Sequence, residues 1–135
     1  MIHKVILRIL LILLIVSCSI PDERSGIFFG GQIINPSSRS VTFYQGNNVI
    51  ETLNLDNNFR FKKRFDSIDS GIYKLEHLPE YQTLLLEEKD SLWVRINAAA
   101  FNASVVFSGI GASKNNFLME LLLKQEAEGE FLSSK

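Results

Sequence analysis

The chain has 135 residues, and its 14 basic and 15 acidic side chains give a formal net charge of −1. This length suits one small domain with a single core, and the balance of charge gives no electrostatic case for nucleic acid as a partner. Because the chain has one cysteine, it can form no intrachain disulfide, and its fold depends on packing, to which 10 Phe, 3 Tyr and 1 Trp contribute.

The N-terminal segment has the layout of a leader for an exported lipoprotein. A basic start that ends at Lys4 precedes an apolar run, Val5 to Val16, which Arg8 alone interrupts and which Ser17 and Cys18 follow. A helix over that run would be about 18 Å long, well short of the roughly 30 Å hydrocarbon core of a bilayer. The small residue directly before the cysteine completes what resembles a bacterial lipobox, in which the thiol is diacylated and the chain is then cut.

We therefore predict a signal peptide over residues 1–17, and a lipidated Cys18 with a tether over residues 18–26. The domain would lie at the cell envelope, held at a membrane that faces the periplasm or the cell exterior. The alternatives for the leader are an uncleaved amphiphilic anchor and a buried core helix. Without Lys4 and Arg8, the 14 basic residues fall to 12 against 15 acidic ones, so the exported part has a net charge of −3.

Residues 27–108 break into short apolar runs separated by turn residues, which is the rhythm of an all-β domain. Strands are predicted over Ile27–Ile34, Ser40–Tyr44, Val49–Leu55, Phe59–Phe65, Gly71–Leu78, Thr83–Leu86, Ser91–Ile96 and Val105–Phe107. We expect an antiparallel β-sandwich or a partly open barrel of about seven or eight short strands. Within it, Gly30-Gly31 indicates a bulge or a close backbone approach, and Lys63, on the same face as Phe61 and Phe65, indicates an open sheet edge.

Residues 109–135 are interpreted as a turn followed by one amphipathic helix of about fifteen residues. Ser113 is a predicted N-cap, and Gly129 is a predicted C-terminal stop. The predicted sheet-facing stripe consists of Phe117, Leu118, Leu121 and Leu122. A second apolar set would then point elsewhere, namely Met119, Leu123, Phe131 and Leu132. Small monomers rarely expose so much apolar surface, so we expect a partner or a downstream domain to cover it, with the chain truncated after Lys135.

The remaining motifs predict structural roles and not catalytic or binding roles. Gly109-Ile110-Gly111 lacks the third glycine and the Lys-Ser/Thr of a phosphate loop, so it indicates a tight turn. Asn115 and Asn116 are predicted to bond the backbone of that turn or each other. His77 is the one histidine outside the leader, which leaves no His-based metal cluster and predicts a place at a strand end.

Two charged clusters are likewise interpreted as solvated. Glu87, Glu88 and Asp90 lack the glycine and the distal glutamate of a calcium loop and indicate an exposed tip. Lys62-Lys63-Arg64 lies in a strand, where successive side chains alternate between faces, so it indicates a solvated edge and not a basic track. The sequence therefore predicts no catalytic residue, no metal site and no cofactor.

Three stretches carry a resemblance to a known family. They are the sheet pattern from Phe28 to Leu86, the segment Glu88 to Val94, and the run from Phe107 to Leu118, which reads F-S-G-I-G-A-S-K-N-N-F-L. Together they resemble the N-terminal β-rich module of Bacteroidetes lipoproteins that often carry a thioredoxin-like, thiol:disulfide interchange domain further on. The resemblance covers nearly all of the chain beyond the leader. It implies the module and its lipid anchor but no redox activity here, since the chain has no second cysteine.

Two tripeptides fit the O-glycosylation motif of the same bacteria. They are Asp66-Ser67-Ile68 and Asp90-Ser91-Leu92, which mark Ser67 and Ser91 as candidate sites. Ser67 lies in a predicted turn and is expected to be the more accessible of the two.

These observations predict a lipid-anchored, exported β-sandwich module that acts as a scaffold or interaction domain and not as an enzyme. Its partners would be a membrane, through the lipid on Cys18, and a protein or a missing downstream domain. One alternative is the N-terminal part of a thiol:disulfide oxidoreductase whose catalytic domain lies beyond Lys135. Another alternative is a module that binds a small ligand between its sheets.

Overall fold

The computed structural model describes residues 26–133, except for the side chain of Leu132. In that part of the chain, eight strands form two four-stranded sheets, and a long helix follows the last strand. The strands are β1 (Ile27–Ile34), β2 (Ser40–Gln45), β3 (Asn48–Asn54), β4 (Arg60–Phe65), β5 (Gly71–His77), β6 (Glu80–Leu86), β7 (Ser91–Asn97) and β8 (Val106–Ile110). A 3₁₀ turn (Ala98–Ala100) and the short helix α1 (Phe101–Ser104) separate β7 from β8, and the long helix is α2 (Ala112–Ser133).

The strands divide between two sheets that stack as a sandwich and do not close into a barrel. Sheet A has the order β4-β1-β7-β8, and sheet B has the order β3-β2-β5-β6. Neighbouring strands are antiparallel except for β1 and β7, which are parallel and pair Phe28 with Ser91. The prediction of a mainly β sandwich with one C-terminal helix is confirmed, whereas the parallel pair was not predicted.

The core lies between the sheets, because alternation along each strand turns one apolar row inward. The ring centroid of Phe43 on β2 lies 5.1 Å from that of Phe29 and 5.2 Å from that of Phe65, both in sheet A. It lies 5.8 Å from that of Tyr73 in its own sheet. Aromatic rings therefore occupy the space between the sheets. The buried aliphatic side chains around them include Ile27, Ile33, Val41, Leu75, Leu84, Leu86, Leu92, Val94 and Ile96.

Gly30 and Gly31 of β1 let two side chains lie across the strand. A Cβ atom on Gly30 would lie 2.6 Å from Cζ3 of Trp93, and one on Gly31 would lie 2.7 Å from Cζ of Phe61. The pairing of β1 with β4 continues through both glycines without a shift of register. Of the two predicted roles for this pair, the close approach is confirmed and the bulge is wrong.

Lys63 lies on β4, the edge strand of sheet A, in the same row as Phe61 and Phe65. Its Nζ lies 3.2 Å from Oε2 of Glu51 on β3, which is an edge strand of sheet B. The prediction that Lys63 marks an open edge is confirmed. The strand begins at Arg60 and not at Phe59, because Phe59 adopts φ +58° in the turn that carries the chain between the sheets.

His77 ends β5 and is buried, which confirms its predicted place at a strand end. Its Nε2 accepts a hydrogen bond from the backbone N–H of Ser37 at 3.0 Å. Its Nδ1 lies 3.0 Å from the carbonyl oxygen of Ser40 and donates to it, which assigns the neutral tautomer with the proton on Nδ1. The ring therefore crosslinks the loop before β2 to the end of β5.

Helix α2 differs from the prediction in its ends and in the face that it buries. It begins at Ala112 and ends at Ser133, so Ser113 lies inside the first turn and Gly129 lies inside the helix. Gly129 does not adopt the positive φ of a glycine that ends a helix, and the helix continues through it. The predicted N-cap and the predicted stop are both wrong. The short helix and the 3₁₀ turn before β8 were not predicted either.

The sheet-facing stripe of α2 is the predicted one only in part, since Leu122 packs against the core and Leu118 is half-buried. The side chains that are buried are Asn115 and Met119, with Leu122 partly buried against the core. Phe117 and Leu121, which the apolar pattern placed against the sheet, are exposed. The prediction counted apolar side chains only, whereas a buried amide, that of Asn115, sets the rotation of this helix.

Candidate interaction site on the C-terminal helix

The passage from β8 into α2 contains two glycines with positive φ, one near the end of the strand and one in the turn. Gly109 has φ +90° and Gly111 has φ +95°. A Cβ on Gly109 would lie 2.2 Å from the carbonyl oxygen of Ser91, and one on Gly111 would lie 2.7 Å from Oδ1 of Asp90. The predicted turn is confirmed at Gly111 only, because Gly109 and Ile110 belong to β8 and pair with β7. A carboxylate, which would repel a phosphate, lies directly against it.

Asp90 is buried, with 6% of its side chain exposed, and it joins this turn to α2. Its Oδ2 accepts a hydrogen bond from the N–H of Glu87 at 2.8 Å and lies 2.7 Å from Nζ of Lys114. The same ammonium lies 2.7 Å from Oε2 of Glu87. The prediction of an exposed acidic tip holds for Glu87 and Glu88 but is wrong for Asp90, because Asp90 caps its own loop and pairs with the helix.

The protein is expected to lose stability as the pH rises above about 10, in part through Lys114. Burial lowers the pKa of Lys114, but hydrogen bonds to Asp90 and Glu87 outweigh burial, so the pKa lies above its ordinary value. A raised folded-state pKa adds stability that is complete below the unfolded value, about 10.4, and is lost as the pH rises through the folded value. Lys114→Met should therefore show a flatter alkaline profile in urea unfolding. At neutral pH it should be less stable by about 1–2 kcal/mol, because the buried carboxylate of Asp90 loses its cation.

Lys124→Met is the matched control, since it removes an exposed lysine from the same helix. It should change neither the stability at neutral pH nor the alkaline profile. Burial raises the pKa of Tyr73. Its ionisation should therefore still cause part of the loss of stability at high pH in both variants. An alkaline profile that is the same in Lys114→Met and in the unchanged protein would contradict the role given to Lys114.

Asn115 and Asn116 attach α2 to both sheets at once. Asn115 is fully buried; its Oδ1 accepts from the N–H of Leu85 at 2.8 Å, and its Nδ2 donates to the carbonyl oxygen of Leu85 at 2.8 Å. Asn116 makes the same pair of bonds with Phe107, at 2.9 Å and 3.0 Å. Leu85 belongs to β6 and Phe107 to β8, the edge strands of sheets B and A. We call this arrangement the asparagine clasp.

The clasp satisfies backbone groups that edge strands otherwise leave unpaired. Asn115 also donates to the carbonyl oxygen of Gly111 at 3.0 Å, so the predicted bond to the turn backbone is confirmed. The bonds to β6 and β8 were not predicted. Asparagine is a poor helix former, and two in succession in a first helical turn are the sequence signal that could have indicated tertiary bonds at this point.

The clasp also fixes which side chains of α2 face solvent. Phe117 is 61% exposed and Leu121 is 47% exposed, and they lie one turn apart on one side of the helix. Phe131 lies on the same side further along and is 61% exposed. All residues from Leu123 to Phe131 are exposed. We call Phe117, Leu121 and Phe131 the apolar helix face.

The other sequence-predicted sites do not join this surface. Cys18, the signal peptide and most of the tether lie outside the described residues. Ser67 is exposed in the turn between β4 and β5, and Ser91 is exposed at the start of β7. Over residues 26–133, no helix is both long and apolar enough to span a bilayer. In the same range, no group of three or more His, Cys, Asp or Glu side chains converges to hold a metal ion.

Comparisons with models of protein families, with curated protein sequences and with solved structures found no match for this chain. What the chain does must therefore be argued from its own residues.

Proposed function

We propose that the protein is a lipid-anchored, exported module that binds a protein partner through the apolar helix face. The observation that supports the interaction role is that Phe117 and Leu121 are exposed on a helix whose rotation the asparagine clasp fixes. Exposed apolar side chains one turn apart on a helix are a pattern that a hydrophobic groove recognises. A helix held at both sheet edges loses little freedom on binding, which favours affinity.

The packed interior of the domain supports an interaction role over the binding of a ligand between the sheets. Every buried side-chain nitrogen and oxygen in residues 26–133 has a hydrogen-bond partner, so the interior offers no unpaired polar atom to a ligand between the sheets. The aromatic rings around Phe43 occupy the space in which a ligand between the sheets would bind. These contacts favour the interaction module over the small-ligand alternative.

The anchor is proposed from the lipobox-like sequence before Cys18. Each buried methylene of an acyl chain contributes about 0.8 kcal/mol, so two or three chains on one cysteine hold a soluble domain at a bilayer durably. The intact mass of the protein extracted from its own membranes tests this. We expect the mass of a chain that begins at Cys18 plus a diacylglyceryl or triacyl group, and Cys18→Ser should carry no lipid. An unlipidated mass that includes Met1 would overturn the anchor.

The interaction role is tested by photo-crosslinking in the native cell. A photoreactive amino acid at position 117 should give one adduct of reproducible mass, and Leu121→Ser in the same chain should abolish it. The matched control is position 72 on sheet B, where Ile72 is 67% exposed on β5, whereas α2 packs against β6 and β8. Position 72 should give no such adduct. Equal adducts at both positions, or none at 117, would overturn this use of the helix face.

The apolar helix face also leaves the redox alternative open, because a downstream domain of the same chain would cover the same side chains. In that case the chain is the N-terminal module of a thiol:disulfide oxidoreductase. The intact mass separates the two proposals. A much larger lipidated species, with an intrachain crosslink from position 117, would favour the oxidoreductase.

A further inference from the structure

The outward-facing side of sheet A carries a set of charges that differs from the rest of the domain. In the rows across the sheet, Gln32 lies between Arg60 and Arg95, and Gly30 lies between Lys62 and Trp93. Arg60, Lys62 and Arg95 are all exposed. The strands β1, β4, β7 and β8 contain no acidic residue. This face is therefore positive, although the chain as a whole is slightly negative.

The outer face of sheet B provides the contrast. Its Lys74 lies 4.4 Å from the ring centroid of Tyr44, whose hydroxyl donates to Glu76 at 3.0 Å. The lysine and glutamate of β5 thus lie near one aromatic ring and balance in charge. On sheet A, Asp66 balances Arg64, whose Nε lies 3.1 Å from Asp66 Oδ1, but no acidic residue of these strands balances Arg60, Lys62 and Arg95.

Trp93 lies at the centre of the positive face. A Cβ on Gly30 would collide with its ring, so the absence of a side chain there lets the indole lie across β1. The ring is half-buried, with Phe28, also half-buried, one row away. Val106 and Ile110 of β8 add exposed apolar side chains on the same side. Tryptophan between apolar and cationic side chains is typical of protein surfaces at the membrane–water interface.

A groove of about 450 Å³ runs beside Trp93. It is lined by Trp93, Arg95, Val106 and Ser108, with Ile34 at one side. The lining combines an apolar wall, a guanidinium and a hydroxyl. A phospholipid headgroup requires those three features, since guanidinium and hydroxyl groups bind phosphate oxygens and apolar side chains meet the glycerol and the first methylenes.

The tether limits how far this face can lie from a bilayer. The segment 18–26 spans at most roughly 28 Å when fully extended. It leads directly into β1, and Phe28, near the start of β1, belongs to the positive face. A lipid on Cys18 would hold the start of sheet A close to the headgroups, where positive side chains within about 10 Å of the surface are attracted to it.

We infer that the outer face of sheet A docks on the anionic headgroups of the membrane to which Cys18 is anchored. This inference rests on the anchor in the proposed function. Docking orients the sandwich, because the outer face of sheet A, from β4 to β8, then lies parallel to the bilayer surface. Each basic side chain near an anionic surface raises the ratio of docked to undocked protein about fivefold, so three of them raise it about a hundredfold.

Trp93 reports on docking directly, because it is the one tryptophan of the chain. The full lipidated protein is reconstituted in phosphatidylcholine vesicles with and without phosphatidylglycerol, each containing a lipid with a nitroxide on its headgroup. We expect the nitroxide to quench Trp93 strongly in the anionic vesicles and weakly in the neutral ones. High salt should abolish the difference.

The variant Arg60→Gln/Lys62→Gln/Arg95→Gln should reduce quenching in anionic vesicles to the neutral level. Lys74→Gln, which removes a cation from sheet B, is the matched control and should behave like the unchanged protein. Circular dichroism checks that each variant is folded. If the triple variant fails to fold, the lipid and salt dependence of the unchanged protein still decides.

Co-sedimentation with the vesicles separates the anchor from the docking. Protein that sediments and is quenched only in anionic vesicles supports both. Protein that sediments with Trp93 unquenched, or equally quenched in both lipids, overturns docking and leaves the anchor standing. In that case the positive face would serve a soluble anion such as an acidic glycan. Protein that does not sediment overturns the anchor and the inference with it.

Discussion

Gly109→Ala is expected to destabilise the protein by about 3–5 kcal/mol, the largest effect of any single change considered for this chain. The backbone at Gly109 has φ +90°, which side-chain-bearing residues rarely adopt. The added Cβ would also lie 2.2 Å from the carbonyl oxygen of Ser91, a backbone atom that cannot rotate away. Urea unfolding followed by Trp93 fluorescence and by far-ultraviolet circular dichroism measures the loss.

Gly46→Ala separates the two causes. Gly46 also has a positive φ, +57°, but a Cβ there would have no neighbour within 4 Å. That substitution should cost only about 1–2 kcal/mol, the ordinary price of a left-handed conformation. Equal losses at the two positions would show that the contact with Ser91 contributes nothing, which would contradict the account of the turn.

Asn115→Ala is expected to cost about 3 kcal/mol. The substitution leaves the N–H and the carbonyl oxygen of Leu85 without their partner, and it removes the bond to Gly111 as well. Because Asn115 is fully buried, water reaches these groups poorly. Unfolding in urea measures the loss, and protease digestion reports whether α2 separates from the sheets before the sandwich unfolds.

Asn116→Ala is the matched control for the clasp. It removes the same two kinds of bond, this time to Phe107, but the side chain is exposed and water can replace it. The cost should be about 1 kcal/mol. If Asn116→Ala proved as costly as Asn115→Ala, burial would not be what makes the bonds to β6 strong.

Most strands were predictable because short apolar runs and flanking turn residues, which are local sequence signals, mark them. The bounds of β1 were predicted to the residue, Ile27–Ile34, since turn residues flank a short apolar run. The edge position of β4 followed in the same way, from the charge of Lys63 in an otherwise apolar row. Both signals lie within a few neighbouring residues, and no distant part of the chain can change them.

The candidate site was not predictable, because it depends on residues far apart in the chain. The apolar pattern of α2 allowed several rotations, and only the free edge of β6, 30 residues away at Leu85, selects the one that buries Asn115. The positive face likewise needs Arg95 of β7 beside the strand of Arg60, and strand order does not appear in a local pattern. The alternation of Lys62, Lys63 and Arg64 between the two faces of β4 was predicted. The presence of Arg95 on the same outer face of sheet A was not.

The parallel pairing of β1 with β7 determines when the domain can fold. Sheet B contains two hairpins, β2–β3 and β5–β6, whose strands are neighbours in sequence, so their pairing closes only short loops. Sheet A must wait for Ser91 to meet Phe28, and contacts so distant in sequence form late. A chain synthesised from its N-terminus therefore cannot complete its sandwich until β7 has followed. Until then the aromatic core around Phe43 lacks the complete sheet A that covers it.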